Sequence, residues 1–250
     1  MTMGRLNETI ALVTGASSGI GWAVARALAS EGATVAVLAR RRDRLDELVR
    51  TIEEDGGQAQ ALEADVTDAD AVAEAVTAVG NQFGRIDVLV NNAGFIANAP
   101  ALGANLADWH RTIDVNVTGV LNTTHAALSY VVDAADGPRG VADIVTVSSV
   151  AGRRVPTPES NVYAASKHAV GAFAEALRQE LTGKRVRVGL IEPGVVRTEM
   201  TTGGGKGAPD ATTGAPLHPA DIAAAVVFMV TQPAHAAVNE ILVRPTEQTR

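Results

Sequence analysis

Short apolar runs of four to six residues alternate with longer amphipathic runs along almost the whole chain, and few folds accept that alternation. Ile10–Val13, Thr34–Leu38, Gln58–Leu62, Ile86–Val90, Ile144–Val147, Val186–Ile191 and Glu240–Val243 read as strands. Ile20–Ser30, Asp43–Glu54, Asp68–Phe83, Asp108–Val132, Val162–Leu181 and Pro219–Val230 read as the helices between them. Strand, helix and strand in sequence demand right-handed crossovers, which build a parallel sheet covered on both faces. The expected fold is therefore α/β: a doubly wound parallel sheet of about seven strands in one domain spanning residues 1–250.

Composition narrows the function. Hydrophobic residues make up 46 %, which suits a folded core, and the formal net charge is -7. A polyanion is a poor partner for nucleic acid, whose binding rests on cationic contacts to phosphate. No cysteine is present, so thiolate catalysis, disulfides and thiolate metal sites are ruled out. The five histidines show no ligand spacing, so no metal is expected. No apolar run of about 18 residues appears, and Met1–Glu8 lacks a signal-type stretch, so no membrane contact and a cytoplasmic location are expected.

Three local patterns carry chemistry. Thr14-Gly15-Ala16-Ser17-Ser18-Gly19-Ile20-Gly21 joins the first strand to the first helix. Glycines there let backbone approach a pyrophosphate, and the helix N-terminus offers unpaired N–H groups. Tyr163 and Lys167, four apart on a helix, share one face. A free phenol has a pKa near ~10 and is a poor acid–base group at neutral pH; a neighbouring ammonium lowers it. Ser148 and Ser149 end the fifth strand, on the sheet edge where α/β proteins bind ligands. Thr201–Pro216 has no periodicity and holds five glycines, so residues 198–218 are expected to form a substrate lid.

The glycine turn, Asn91-Asn92-Ala93-Gly94, Tyr163-x-x-x-Lys167 and Pro193-Gly194, in that order, resemble the short-chain dehydrogenase/reductase family, over essentially the whole chain. The resemblance implies a Rossmann fold and an NADP(H)-dependent reductase of aldehydes or ketones, from its carbonyl-reductase branch. Oxidation of an alcohol or hydroxy acid, by the reverse chemistry, and a non-catalytic NADP-binding sensor are the alternatives. The catalytic set it implies is Asn116, Ser149, Tyr163 and Lys167. Ser149 holds the substrate oxygen, Ser148 supports it, and Asn116 holds a water between Lys167 and solvent. The cofactor set is Gly15, Ser17, Ser18, Gly19, Ile20 and Gly21, then Asp65 and Val66 at the adenine, and Asn92, Ala93 and Gly94 near its ribose. Tyr163, Lys167, Pro193, Gly194, Val196 and Thr198 complete it around the nicotinamide end.

The choice of nicotinamide turns on the end of the second strand. NAD-preferring members of the family carry Asp where this chain has Ala39, and Arg40 and Arg41 follow. A guanidinium beside an uncharged site suits a dianionic 2′-phosphate. Arg40 is the first candidate and Arg41 the second. The substrate wall is expected from Phe95–Leu102, Gly152–Ser160 and 198–216, with Phe95, Ile96, Val155 and Met200 making it partly apolar. The family resemblance also implies a homodimer or homotetramer, packed through Asp108–Val132 and Val162–Leu181, and a small carbonyl or alcohol as substrate.

Overall fold

The computed structural model describes residues 4–202 and 215–249. Its centre is a seven-stranded parallel sheet in the order β3-β2-β1-β4-β5-β6-β7. The strands are β1 (Ile10–Thr14), β2 (Thr34–Ala39), β3 (Gln58–Glu63), β4 (Val88–Asn91), β5 (Ala142–Val147), β6 (Val186–Pro193) and β7 (Glu240–Val243). The main helices are α1 (Gly19–Ser30), α2 (Arg42–Glu54), α3 (Ala69–Phe83), α4 (Leu106–Ile113), α5 (Gly119–Ala134) and α6 (Asn161–Leu181). A short α7 (Glu199–Thr202) and α8 (Pro219–Val230) follow.

The strands β1, β2 and β4 are mostly apolar because both faces are covered. Side chains alternate between faces at period two. Ala11, Val13, Val35, Val37, Val88 and Val90 join a core with α1, α2 and α8. Their neighbours Ile10, Leu12, Ala36, Leu38 and Leu89 join a second core with α3, α5 and α6. The two edge strands, β3 and β7, are only partly buried, as edges should be.

Elements fall where periodicity placed them, with two revisions. The strand expected at Ile86–Val90 is β4, Val88–Asn91: the Ile86 N–H is spent on Tyr130 O at 3.2 Å, ahead of the ladder. The helix expected as one piece over Asp108–Val132 is interrupted by a π-helical turn at Asp114–Thr118, between α4 and α5. Such turns widen the ladder by one residue and turn side chains off the regular face. Most of the stretch expected as a lid, residues 203–214, lies outside the described residues.

Topology sets the position of the site. The chain runs outward from β1 to β3, then returns to place β4 on the other side of β1. The loops after β1 and β4 therefore diverge and leave a crevice at the C-terminal strand ends, the ligand position in open α/β sheets.

Candidate active site

A cleft of about 620 Å³ opens at that switch point. Of the expected site residues, all but Gly21 and Asn116 line it. The two exceptions stand behind the wall.

The glycine turn is shaped by close approach. Gly15 has φ +65°, and a Cβ on it would come within 2.7 Å of Ala93 Cα. A Cβ on Gly21 would lie 2.5 Å from Asn92 Nδ2 and from Gly15 O. Both positions exclude any side chain, because the turn after β4 lies directly on the turn after β1. Asn92 fastens the two: its N–H donates to Thr14 Oγ1 at 3.0 Å, and its Nδ2 to Thr14 O at 2.9 Å. The Asn92 carboxamide is thus a clasp between two cofactor-side loops. Ser18 precedes α1 without a side-chain cap, and the first turn of α1 holds no acid. Its leading N–H groups are therefore unsatisfied by side chains and face the cleft, where Ser18, Gly19 and Ile20 line it. This cradle fits a dinucleotide pyrophosphate.

At the far end of the cleft, Ala39 closes β2 without charge. Arg41 donates to Ser17 Oγ through Nε at 3.2 Å and Nη2 at 3.0 Å, and pairs with Glu199 at 3.0 Å. Arg40 pairs with Asp65 at 3.4 Å. Arg41 thus reaches the glycine turn, while Arg40 leans on the loop after β3.

The chemical centre lies where β5 meets α6. Ser149 follows β5 in extended conformation, and its Oγ accepts from Ala151 N–H at 3.1 Å. That segment is held by Arg153, whose Nε donates to Glu192 Oε2 at 2.6 Å and whose guanidinium also pairs with Glu240. Tyr163 meets the Ser149 hydroxyl. Ser148 turns instead toward Lys167 O, 3.4 Å away. The Ser149 register is thus the one that faces the phenol. Lys167 Nζ donates to Val147 O at 3.0 Å and lies 5.8 Å from the Tyr163 ring centroid.

Burial dominates the electrostatics of the pair. It pushes the Tyr163 phenol above its ordinary value, and the Ser149 hydrogen bond pulls back against it. It lowers the Lys167 ammonium to about 8. The lowering of the tyrosine expected from the lysine is not what the pocket gives: desolvation of the phenol dominates. A consequence for stability follows with a definite sign. Above about pH 8 the folded state releases the Lys167 proton that the unfolded chain keeps to its ordinary value of 10.5. The unfolded state then binds more protons, so stability rises with pH through that window. Relative to Lys167→Met, the protein gains on the order of 3 kcal/mol between about pH 8 and 10.5. Paired urea titrations across that range measure it; parallel pH curves would refute a buried ammonium.

Asn116 sits in the π-helical turn. Its Oδ1 accepts from Phe95 N–H at 2.7 Å, and its Nδ2 donates to Phe95 O at 2.9 Å and Ser166 Oγ at 3.0 Å. The carboxamide is spent on the loop after β4 and on α6. The π turn places it there, as a regular helix through 108–132 would not.

The cleft also holds residues that sequence reasoning did not select. Arg111 lines it from α4, and Gln248 and Thr249 line it from the chain end. Gln248 Oε1 accepts from Val195 N–H at 3.0 Å, beside the Pro193-Gly194 turn. Neither carries a periodic or motif signal; a lone arginine on an amphipathic helix reads as surface charge. Val155, expected in the wall, is 60 % exposed and outside the lining. Among the described residues, no cluster of His, Asp and Glu could hold a metal ion, and no helix is long and apolar enough to cross a membrane.

A seven-stranded parallel sheet with an uncapped glycine turn at its switch point defines a dinucleotide-binding α/β protein. The family model for short chain dehydrogenases matches residues 9–207, and the chain belongs to that family of oxidoreductases. It is 41 % identical over 247 residues to sulfoacetaldehyde reductase 2 of Chromohalobacter salexigens, covering 96 % of this chain and 95 % of that one. A short chain dehydrogenase from Burkholderia cenocepacia, solved with NADP, superposes with a TM-score of 0.85 at 32 % identity, covering 97 % and 98 % of the two chains. An alcohol dehydrogenase from the archaeon Thermococcus sibiricus, solved with 5-hydroxy-NADP, gives 0.86 at 29 % identity and the same coverage.

Proposed function

We propose that the protein is an NADPH-dependent reductase of a small aldehyde or ketone, with Tyr163 as proton donor. The observation that carries this reading is the meeting of Tyr163, Ser149 and Lys167 at one end of the cleft that begins at the glycine turn. When bound, the reduced nicotinamide supplies the hydride. Ser149 Oγ–H donates to the carbonyl oxygen and fixes the carbonyl's orientation. Tyr163 Oη–H delivers the proton to that oxygen as negative charge develops on it. Lys167 supplies positive charge close by, and Asn116 positions the Phe95 wall. Gly15, Ser17, Ser18, Gly19, Ile20, Asp65, Val66, Ala93, Gly94, Pro193, Gly194, Val196 and Thr198 supply the cofactor bed, with Gly21 and Asn92 holding its two turns together.

The same burial supports the reductive reading. A phenol with a raised pKa stays protonated at neutral pH, which is the form that reduction uses. Alcohol oxidation draws on the phenolate and gains relative to reduction as pH rises. A panel of aldehydes and ketones with NADPH, followed by loss of its absorbance, tests the reading; inertness across the panel would refute it. In the cell the protein works as a homodimer or homotetramer; Ile113 and Leu121, 38 % and 40 % exposed along the expected face, support that assembly.

NADP(H) is the cofactor because two guanidiniums and no carboxylate follow Ala39 at the ribose position. Arg41 carries more of the 2′-phosphate recognition than Arg40, since its guanidinium is held against Ser17. Arg41→Ala should raise the KM for NADPH about 10–100-fold, the worth of a charged hydrogen bond, while the KM for NADH changes little. Steady-state kinetics with both cofactors decide it. Equal loss with NADH and NADPH would remove Arg41 from phosphate recognition.

A further inference from the structure

The cleft is electropositive in an acidic protein. Among the described residues Arg40, Arg41, Arg111 and Lys167 line it against one lining carboxylate, Asp65, with Glu199 pairing Arg41 from beside the lining, although the chain as a whole carries -7. Asp65 is already paired with Arg40. Arg40 and Arg41 stand at the ribose end, and Lys167 stands beside Tyr163. The proposed cofactor and proton transfer leave Arg111 unexplained.

Arg111 reaches the wall from α4, and its guanidinium carbon lies 4.2 Å from the centroid of the Phe95 ring. Phe95 is itself pinned by the two hydrogen bonds to Asn116, at 2.7 and 2.9 Å. Those bonds fix the Phe95 backbone, and the exposed Arg111 guanidinium lies over its ring at the rim of the cleft. Stacking covers one face of a guanidinium and leaves its N–H edges for an in-plane acceptor. Among the described residues no carboxylate pairs with it. A second polar group of the same cleft, Asn98 Oδ1, is buried without a partner. A cationic substrate would meet like charge here and, among the described residues, no lining acid at the substrate end.

We infer that Arg111 is the specificity-determining residue of the substrate pocket, and that the substrate is a small aldehyde or ketone carrying a carboxylate or sulfonate. This rests on the carbonyl-reductase reading above. Guanidinium edges match either anion through paired N–H···O bonds.

The test is steady-state reduction with NADPH of succinic semialdehyde, sulfoacetaldehyde, neutral butanal and cationic betaine aldehyde. Wild type, Arg111→Gln and Arg111→Lys are compared. Wild type is expected to favour an anionic aldehyde over butanal by at least about tenfold in kcat/KM, with betaine aldehyde poorest. Arg111→Gln should raise KM for the anionic aldehyde about 10–100-fold more than for butanal, with kcat little changed, and Arg111→Lys should recover part of the loss. Which anion is favoured separates carboxylate from sulfonate. A wild type indifferent to substrate charge, or an Arg111→Gln loss shared equally by butanal, overturns the inference. If no aldehyde consumes NADPH, the reductase reading fails on its own account. Calorimetry with 4-hydroxybutyrate and with isethionate, in the presence of NADP, then still reads the anion site. Heat lost in Arg111→Gln supports it, and equal or absent heat in both proteins refutes it.

Discussion

Tyr163→Phe is expected to lower kcat by at least about 10²–10⁴-fold while NADPH binding stays within a few-fold of wild type. The substitution removes one oxygen and keeps the ring. Most of the cleft's lining comes from the glycine turn, the loops after β2 to β4 and the turn after β6, and the ring that lines it beside them is kept. What is lost is the proton that Ser149 and Lys167 are placed to manage. Single-turnover reduction together with a fluorescence titration of NADPH separates chemistry from binding. Near-normal turnover in the phenylalanine variant would end the assignment; lost binding with normal residual chemistry would leave Tyr163 a cofactor contact alone.

The strands and helices were readable because both-face burial leaves a plain mark. Val35-Ala36-Val37-Leu38 is apolar at every position only because α-helices cover each side of β2. The cofactor loops were readable for a different reason. Gly15 and Gly21 stand where backbone meets backbone, so the residue type is dictated by space. Side-chain partners were not readable. Sequence order put Arg40 first at the ribose end, but which arginine turns toward Ser17 depends on how α2 leaves β2. The π turn at Asp114–Thr118 has no period of its own, so the regular helix expected there hid where the Asn116 carboxamide would point. Arg111 was hidden by the same limit: only packing of α4 beside the loop after β4 brings it over Phe95. The balance of Tyr163 and Lys167 was also misjudged from spacing, since desolvation is a property of the folded pocket.

The largest stability effect is expected at the opposite end of the sheet. Asp143, near the start of β5, is 1 % exposed and lies in register with Arg187 of β6. Arg187 holds both carboxylate oxygens, through Nε at 2.7 Å and Nη2 at 2.9 Å, and Arg139 adds a third bond at 2.8 Å. The same two arginines donate to Val230 O, at 3.1 and 2.6 Å, and so tie the end of α8 to the sheet. Asp143→Asn leaves two guanidiniums, one of them buried, without their shared counter-charge. Breaking one side of a buried pair costs about 3–5 kcal/mol, because the remaining charge stays desolvated. In a domain of this size that lowers Tm by roughly 6–20 °C, a large part of a total stability of about 5–15 kcal/mol. The hydrogen bonds from Arg139 and Arg187 to Val230 O make loosening of α8 the first step, visible as faster amide exchange along Pro219–Val230. The cleft is a different matter. Asp143 and Ser149 sit at opposite ends of β5, so kcat measured well below the new Tm should match wild type. Thermal unfolding and kinetics on the same preparation check both halves. A Tm within about 2 °C of wild type would show that the network is solvated in solution and contributes little.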